Sequence, residues 1–377
     1  MRGGSRINPG LLYATASTAE KRGGGKVGIP ELWGRYNLKD VVNGYMTVNT
    51  GAVNPIQAVT GSLALATQDM PFKVSGKIDG AGLNLSAQHD LSFYGFALGV
   101  SLPIMNMRTS MRFSATGAPN DATARLYDKI RRQAHQDIGF AGNTWTKTGL
   151  GDLDAHLRWH MTRDHVLLMK KIDWTLITGL ALPTGVTLDP KYPTAIPFGS
   201  NGHLGWYWGS HLLCELKQDW TLGMLMSFNH QAAHTRVQRI SVDAEPAIFS
   251  SLVGKVKTEP GMTLKLSPYF TLGNITDGLD FQVRYTYLRH GTDKETDMRD
   301  DKSISSYFQK GDALIDQKSR LTKWRAHYVT ISLLYDIASL GAKIKFAPQF
   351  FISYDMPINC SAFSQTHTVQ LGAQLHF

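Results

Sequence analysis

Between Asp152 and His160 every second residue is charged or titratable: Asp152, Asp154, His156, Arg158 and His160. Two carboxylates and two imidazoles at this density could bind a metal, relay a proton or line a polar passage. The residues between them, Leu153, Ala155, Leu157 and Trp159, are apolar, and a period of two puts the two sets on opposite faces of a β-strand. Alternate residues on one strand face stand roughly 6.5–7 Å apart, too far for adjacent pairs to chelate one ion without help from a neighbouring strand. A hydrated polar surface is therefore expected, with no metal site and no cofactor. Hydrolysis would need a nucleophile beside a base. Ser210, His156 and His211 have the right chemistry, but no GxSxG or comparable motif places them, and the adjacent Ser210 and His211 point to opposite faces. No catalytic residue is assigned, and the chain reads as a protein that is not an enzyme.

The elements that would position those residues repeat along the chain. Alternation is weak over Gly76–Leu85, then clear from Leu91 to Leu102. Pro103-Ile104 is read as a turn, after which Met105, Met107, Met111 and Phe113 oppose Asn106, Arg108, Ser110 and Arg112. Further alternating stretches follow at 151–160, 171–182, 204–216, 220–228, 262–272, 279–287, 329–337, 342–354 and 366–377. This makes about twelve strands, or fourteen if Tyr36–Asn49 adds a hairpin. Pro268 and Pro348 fall mid-strand, where a closed ladder needs every donor, so each should mark a bulge. Asn120 can cap a helix with Leu126, Ile130, Ala134 and Ile138 at every fourth position.

The links sort by length. Short ones (103–104, 162–170, 218–219, 274–278, 338–340) fall at one end of the strands. Long ones (115–149, 183–201, 231–259, 291–323, 355–365) fall at the other, with 86–90 the lone short link on the long side. Short turns at one rim and long loops at the other, with an even strand number, describe a transmembrane antiparallel β-barrel. Charged residues make up only 18% of the chain. No apolar run approaches the ~18 residues of a spanning helix, and only helices and closed barrels cross lipid. The apolar faces would then meet membrane lipid.

The remaining features narrow the function. The net charge of +9 is spread singly, without the Lys/Arg clusters of nucleic-acid binders. Cys214 and Cys360, the two cysteines, exclude a disulfide framework and are read as unpaired. The Gly-rich stretch Arg22–Gly28 is not a phosphate loop: Val27 follows Gly25-Lys26, and Glu20 stands where the pattern needs Gly. No apolar signal-peptide core is visible at the start. Residues 1–75 are expected to form a periplasmic or plug segment, and residues 76–377 the barrel.

Two stretches carry a resemblance. The chain ends on an alternating strand, Thr366–Phe377, and on an aromatic residue. That ending resembles those of bacterial outer-membrane barrels, for which it implies recognition by the barrel-assembly machinery through Phe377. Gly149-Leu150-Gly151-Asp152, the strand through Trp159, and Leu182-Pro183-Thr184-Gly185 together resemble the phenol meta-pathway family of outer-membrane proteins, grouped with FadL-like transporters. The resemblance implies an outer-membrane channel for small, hydrophobic or aromatic solutes. The alternative is a structural or surface-interaction barrel with a closed lumen. The lumen-lining candidates are Arg108, Arg112, Asp152, Asp154, His156, Arg158, Lys265, Arg284, Lys343 and Lys345, a set with excess positive charge that would favour anions.

Overall fold

Each alternating stretch needs one lipid-facing and one interior face, and a sheet closed on itself provides both without leaving an edge. The computed structural model describes residues 5–49, 51–91, 94–166, 169–242, 244–300, 319, 321–337 and 348–376. Twelve antiparallel strands close into one barrel. They are β1 (Ser5–Ala16), β2 (Pro71–Asp90), β3 (Phe96–Ala115), β4 (Leu153–Val166), β5 (Met169–Leu182) and β6 (Gly205–Lys217). The circuit continues through β7 (Trp220–Gln231), β8 (Thr263–Thr276), β9 (Leu279–His290), β10 (Trp324–Asp336), β11 (Gln349–Ser361) and β12 (His367–His376). Every strand pairs with its sequence neighbours, and β12 returns to β1 with Leu11 opposite Leu371.

The first strand differs from expectation. Ser5–Ala16 is a barrel strand, bridging β2 and β12, where the sequence reading placed only a plug or tail. Its alternation is masked because Leu12 and Ala14 are apolar on the inner face, while Pro9 and Gly10 interrupt the pattern. The second difference compensates for the first in the strand count. Pro103-Ile104 is no turn but lies inside β3, which runs unbroken for 20 residues. The Pro103 carbonyl accepts from Gly151 N at 2.7 Å. In an antiparallel strand a residue's nitrogen faces the same neighbour as its carbonyl, so the donor-less side of Pro103 meets the Gly151-Asp152 step between the short strand Thr144–Leu150 and β4. The pairing shifts by one residue there, which is a bulge. The prolines expected to bulge do not. Pro268 holds its register opposite Met224, and Pro348 precedes β11, where a missing donor costs no ladder bond.

With these strands the five longest links all join strand ends at one rim, where 362–366 alone is short. The strand ends at Asp90 and Phe96, Val166 and Met169, Lys217 and Trp220, Thr276 and Leu279, and Asp336 and Gln349 share the rim that holds Ser5 and His376, here the terminal rim. The strand ends at Ala16 and Pro71, Ala115 and Leu153, Leu182 and Gly205, Gln231 and Thr263, His290 and Trp324, and Ser361 and His367 share the opposite, loop rim. The expected link at 338–340 and the expected strand start at 342 lie outside the described residues. Tyr36–Asn49 forms no hairpin: Asn37 caps the helix α1 (Leu38–Val48) by accepting from Lys39 N.

The apolar face is outside. Leu11, Leu98, Leu180, Trp208, Leu222, Ile331 and Ile352 are all exposed on it, a band that is stable only against lipid. The packed core lies instead at the loop rim, where β2 and β3 outrun the ~9–11 residues needed to cross a bilayer. There Phe72, Val74 and Met111 turn inward against α1, α2 (Pro55–Thr60) and α3 (Asp121–Asp137). The α3 helix is the one read from the sequence, capped by Asn120 accepting from Thr123 N at 2.9 Å.

Candidate functional site

The interior wall is built on small residues overlain by large ones. A Cβ on Gly99 would collide with His156, one on Gly179 with Tyr207, and one on Gly223 with Tyr269. Each glycine thus leaves a neighbouring ring or phenol room to lie flat against the wall. Asp154, His156, Arg158 and His160 all face inward from β4, as the period of two requires.

They belong to a series of polar contacts spread along the inner wall. Arg6 reaches Asp90 at 3.4 Å. Arg158 donates at 3.4 Å both to Gln88 and to Thr175. His160 Nδ1 lies 3.1 Å from Thr175 Oγ1, and His156 Nδ1 contacts Asp154 at 2.8 Å. His211 Nε2 meets the Tyr269 hydroxyl at 2.5 Å. Beyond it Arg284 approaches Asp355 at 3.8 Å, and Thr330 donates to the same carboxylate at 2.6 Å. All these links join residues of one strand or of strands at most two apart, so they stiffen the wall rather than cross the bore. The Nε atoms of Arg158 and Arg284 are buried without a hydrogen-bond partner. Lys265 faces inward opposite Ser227 and, among the described residues, has no ion pair.

The other candidates fall elsewhere. Because β3 is continuous, its even-numbered residues face outward throughout, and Arg108 and Arg112 are exposed on the outer surface. Reading Pro103 as a turn had reversed that face. Asp152 sits at the bulge, where its carboxylate accepts from Gly185 N at 3.1 Å and Ser200 N at 2.5 Å. Thr184 Oγ1 donates to the Gly151 carbonyl and accepts from Leu153 N, both at 2.9 Å. The two matched motifs therefore interlock to pin the 183–204 loop, and Asp152 is a clasp rather than a pore charge. Lys343 and Lys345 lie outside the described residues. Without those five, the described inward charges include Arg6, Arg158, Lys171, Lys265 and Arg284 against Asp90, Asp154, Asp164, Asp173, Glu215, Asp280, Asp336 and Asp355. Among the described residues the inward charges show no positive excess. Arg6, Asp90 and Asp355 were missed because they sit at strand ends or within stretches read as loop.

At the loop rim a cavity of about 520 Å³ opens among the outer segments. Trp33, Tyr192, Ile196, Ile248 and Trp324 give it apolar and aromatic walls, and Arg236, Arg239, His203 and His290 give it polar points. Its size and mixed lining suit a small organic solute. Trp324 stacks on His290 with 5.5 Å between ring centroids. Arg239 donates at 2.6 Å to the carbonyls of both Pro190 and Ser250, and its guanidinium lies 4.0 Å from the Phe140 ring centre. Burial lowers its pKa to about 10, which leaves it charged at neutral pH.

No protein-family model matches the sequence, and no curated protein matches it. Solved structures do. The crystal structure of an outer membrane channel from Pseudomonas putida F1 superposes with a TM-score of 0.52 at 10% identity, covering 99% of this chain and 96% of that one. The NanC porin matches at 0.34 with 10% identity over 78% and 93% of the two chains. A FadL homologue from Pseudomonas aeruginosa matches at 0.31 with 7% identity over 100% and 90%. The last two superpose too loosely to carry weight. The first establishes the shared fold: this chain is a closed, twelve-stranded transmembrane antiparallel β-barrel.

Proposed function

We propose that the chain is an outer-membrane channel that admits small solutes, amphipathic aromatic compounds among them, and that it is not an enzyme. The observation that carries this reading is the set of charged and polar groups, from Arg6–Asp90 to Arg284–Asp355, on the inside of a closed barrel whose outside is apolar. Water and polar solutes are stabilised inside such a wall, and lipid outside it. The fold shared with an outer membrane channel supports it. The loop-rim cavity supports the solute class, since aromatic walls and two guanidiniums suit a ring bearing an anionic or polar substituent. In this reading the long loops face outward, the chain ends face the periplasm, and Phe377 is the handle for the barrel-assembly machinery.

Liposome swelling tests it. Vesicles holding the protein should swell in isosmotic benzoate faster than in a disaccharide, and protein-free vesicles should not. Swelling no faster than the protein-free control would sink the channel reading. The closed-lumen alternative draws on the packed core of α1, α2 and α3 at the loop rim, and that result would favour it.

A further inference from the structure

We propose that outward-facing arginines and lysines just beyond the apolar band at the loop rim bind phosphate groups of lipid headgroups. The edge of the band can be followed strand by strand. On β1 the outward series runs Ile7, Leu11, Tyr13, Thr15; on β3 it runs Leu98, Val100, Leu102, Ile104, then Asn106 and Arg108. Register puts Tyr13, Ala81, Asn106 and Thr148 side by side on four adjacent strands. That row is the boundary: apolar residues lie on its terminal-rim side, and polar ones follow on the loop-rim side. A tyrosine at such an edge suits the headgroup layer.

Just beyond it stand Arg108 on β3 and Lys77 on β2, with Arg112 and Lys73 farther along the same strands toward the loop rim, all exposed. Asp79, within this group, pairs with Lys77 at 2.8 Å. Two strands on the far side repeat the arrangement. Past Tyr285 and Tyr287, Arg289 of β9 lies directly opposite Arg325 of β10, both exposed. Like charges directly opposite on a sheet destabilise it unless an anion sits between them. Asp79 lies directly opposite Arg108, but among the described residues none of Lys73, Arg108, Arg112, Arg289 and Arg325 makes an ion pair with a carboxylate. Guanidiniums fit phosphate oxygens two at a time, and at this height the phosphates on hand are those of the surrounding leaflet. Free phosphate has the same chemistry but no reason to favour the membrane edge.

The proposal requires the barrel to sit in a bilayer, not to conduct. The full chain is placed in phosphatidylcholine nanodiscs doped with lipid A, and native mass spectrometry counts the lipid A it retains on release. The wild type should retain lipid A over phosphatidylcholine, and excess inorganic phosphate should leave it in place. Arg289→Ser with Arg325→Ser, and separately Arg108→Ser with Arg112→Ser, should each weaken retention about tenfold. Heat-modifiable gel migration of the same samples confirms that every variant is a folded barrel. Equal retention by wild type and both folded variants, no preference over phosphatidylcholine, or full displacement by inorganic phosphate would each overturn the proposal.

Discussion

At the scale of single residues, Asp152 has the most defined task. Its carboxylate holds two backbone donors of the 183–204 loop, so Asp152→Ala leaves both without their partner at a cost of about 1–3 kcal/mol. Limited proteolysis should then cut that loop faster than in the wild type while the barrel itself stays intact. Unchanged cleavage would remove the clasp from the account. Two buried groups in the loop-rim core titrate in opposite senses. Burial, reinforced by Arg131 and Arg239, lowers His135 to about 3, where it contacts the Tyr36 hydroxyl at 2.8 Å. Burial raises Glu245 to about 7 although it accepts from Val242 N and Ser251. For His135 the unfolded form binds more protons between about pH 3 and 6.5, so its contribution falls as pH falls through that window. For Glu245 the folded form binds more between 4.5 and about 7, so its contribution falls as pH rises. The two slopes cancel where the windows overlap. Hydrogen-exchange protection of α3 should therefore be flat from about pH 4.5 to 6.5, and in His135→Gln it should instead decline across that range with rising pH.

At the scale of elements, the strands with clean alternation were legible in sequence. Leu371, Ala373 and Leu375 face lipid while Gln370 and Gln374 face the lumen, as the period of two requires. The same rule put Asp154, His156, Arg158, Lys265 and Arg284 on the strand face that the register turns inward. It failed where local chemistry disguised a strand. Leu12 and Ala14 made β1 apolar on both faces, and Pro103 resembled a turn because its compensation, the bulge at Gly151, lies on another strand. Such a compensation has no signature near the proline itself. A Cβ at Gly151 would meet Pro103 Cγ at 2.6 Å, so Gly151→Val should destabilise the barrel by about 1–3 kcal/mol, read as a lower midpoint in urea. The β1 strand is the bridge between β2 and β12. Deleting residues 5–16 should abolish heat-modifiable migration, since the open sheet would present two unpaired edges to lipid.

At the scale of the whole molecule, link length reported the architecture better than any single motif. Once β1 and β3 are in place, the five longest connections all join strand ends at one rim, and the short link on that rim is 362–366 in place of 86–90. The bore was less legible, because its polar wall depends on which strands are neighbours in space. The central claim is that this wall lines an open path. Single-channel recording in planar bilayers tests it most directly, comparing the wild type with Arg158→Glu, Lys265→Glu. Discrete conductance steps are expected, with a reversal potential in a salt gradient that shifts toward cation preference in the variant. A wild type that inserts as a folded barrel yet passes no current, or a variant whose reversal potential does not move, would contradict the account.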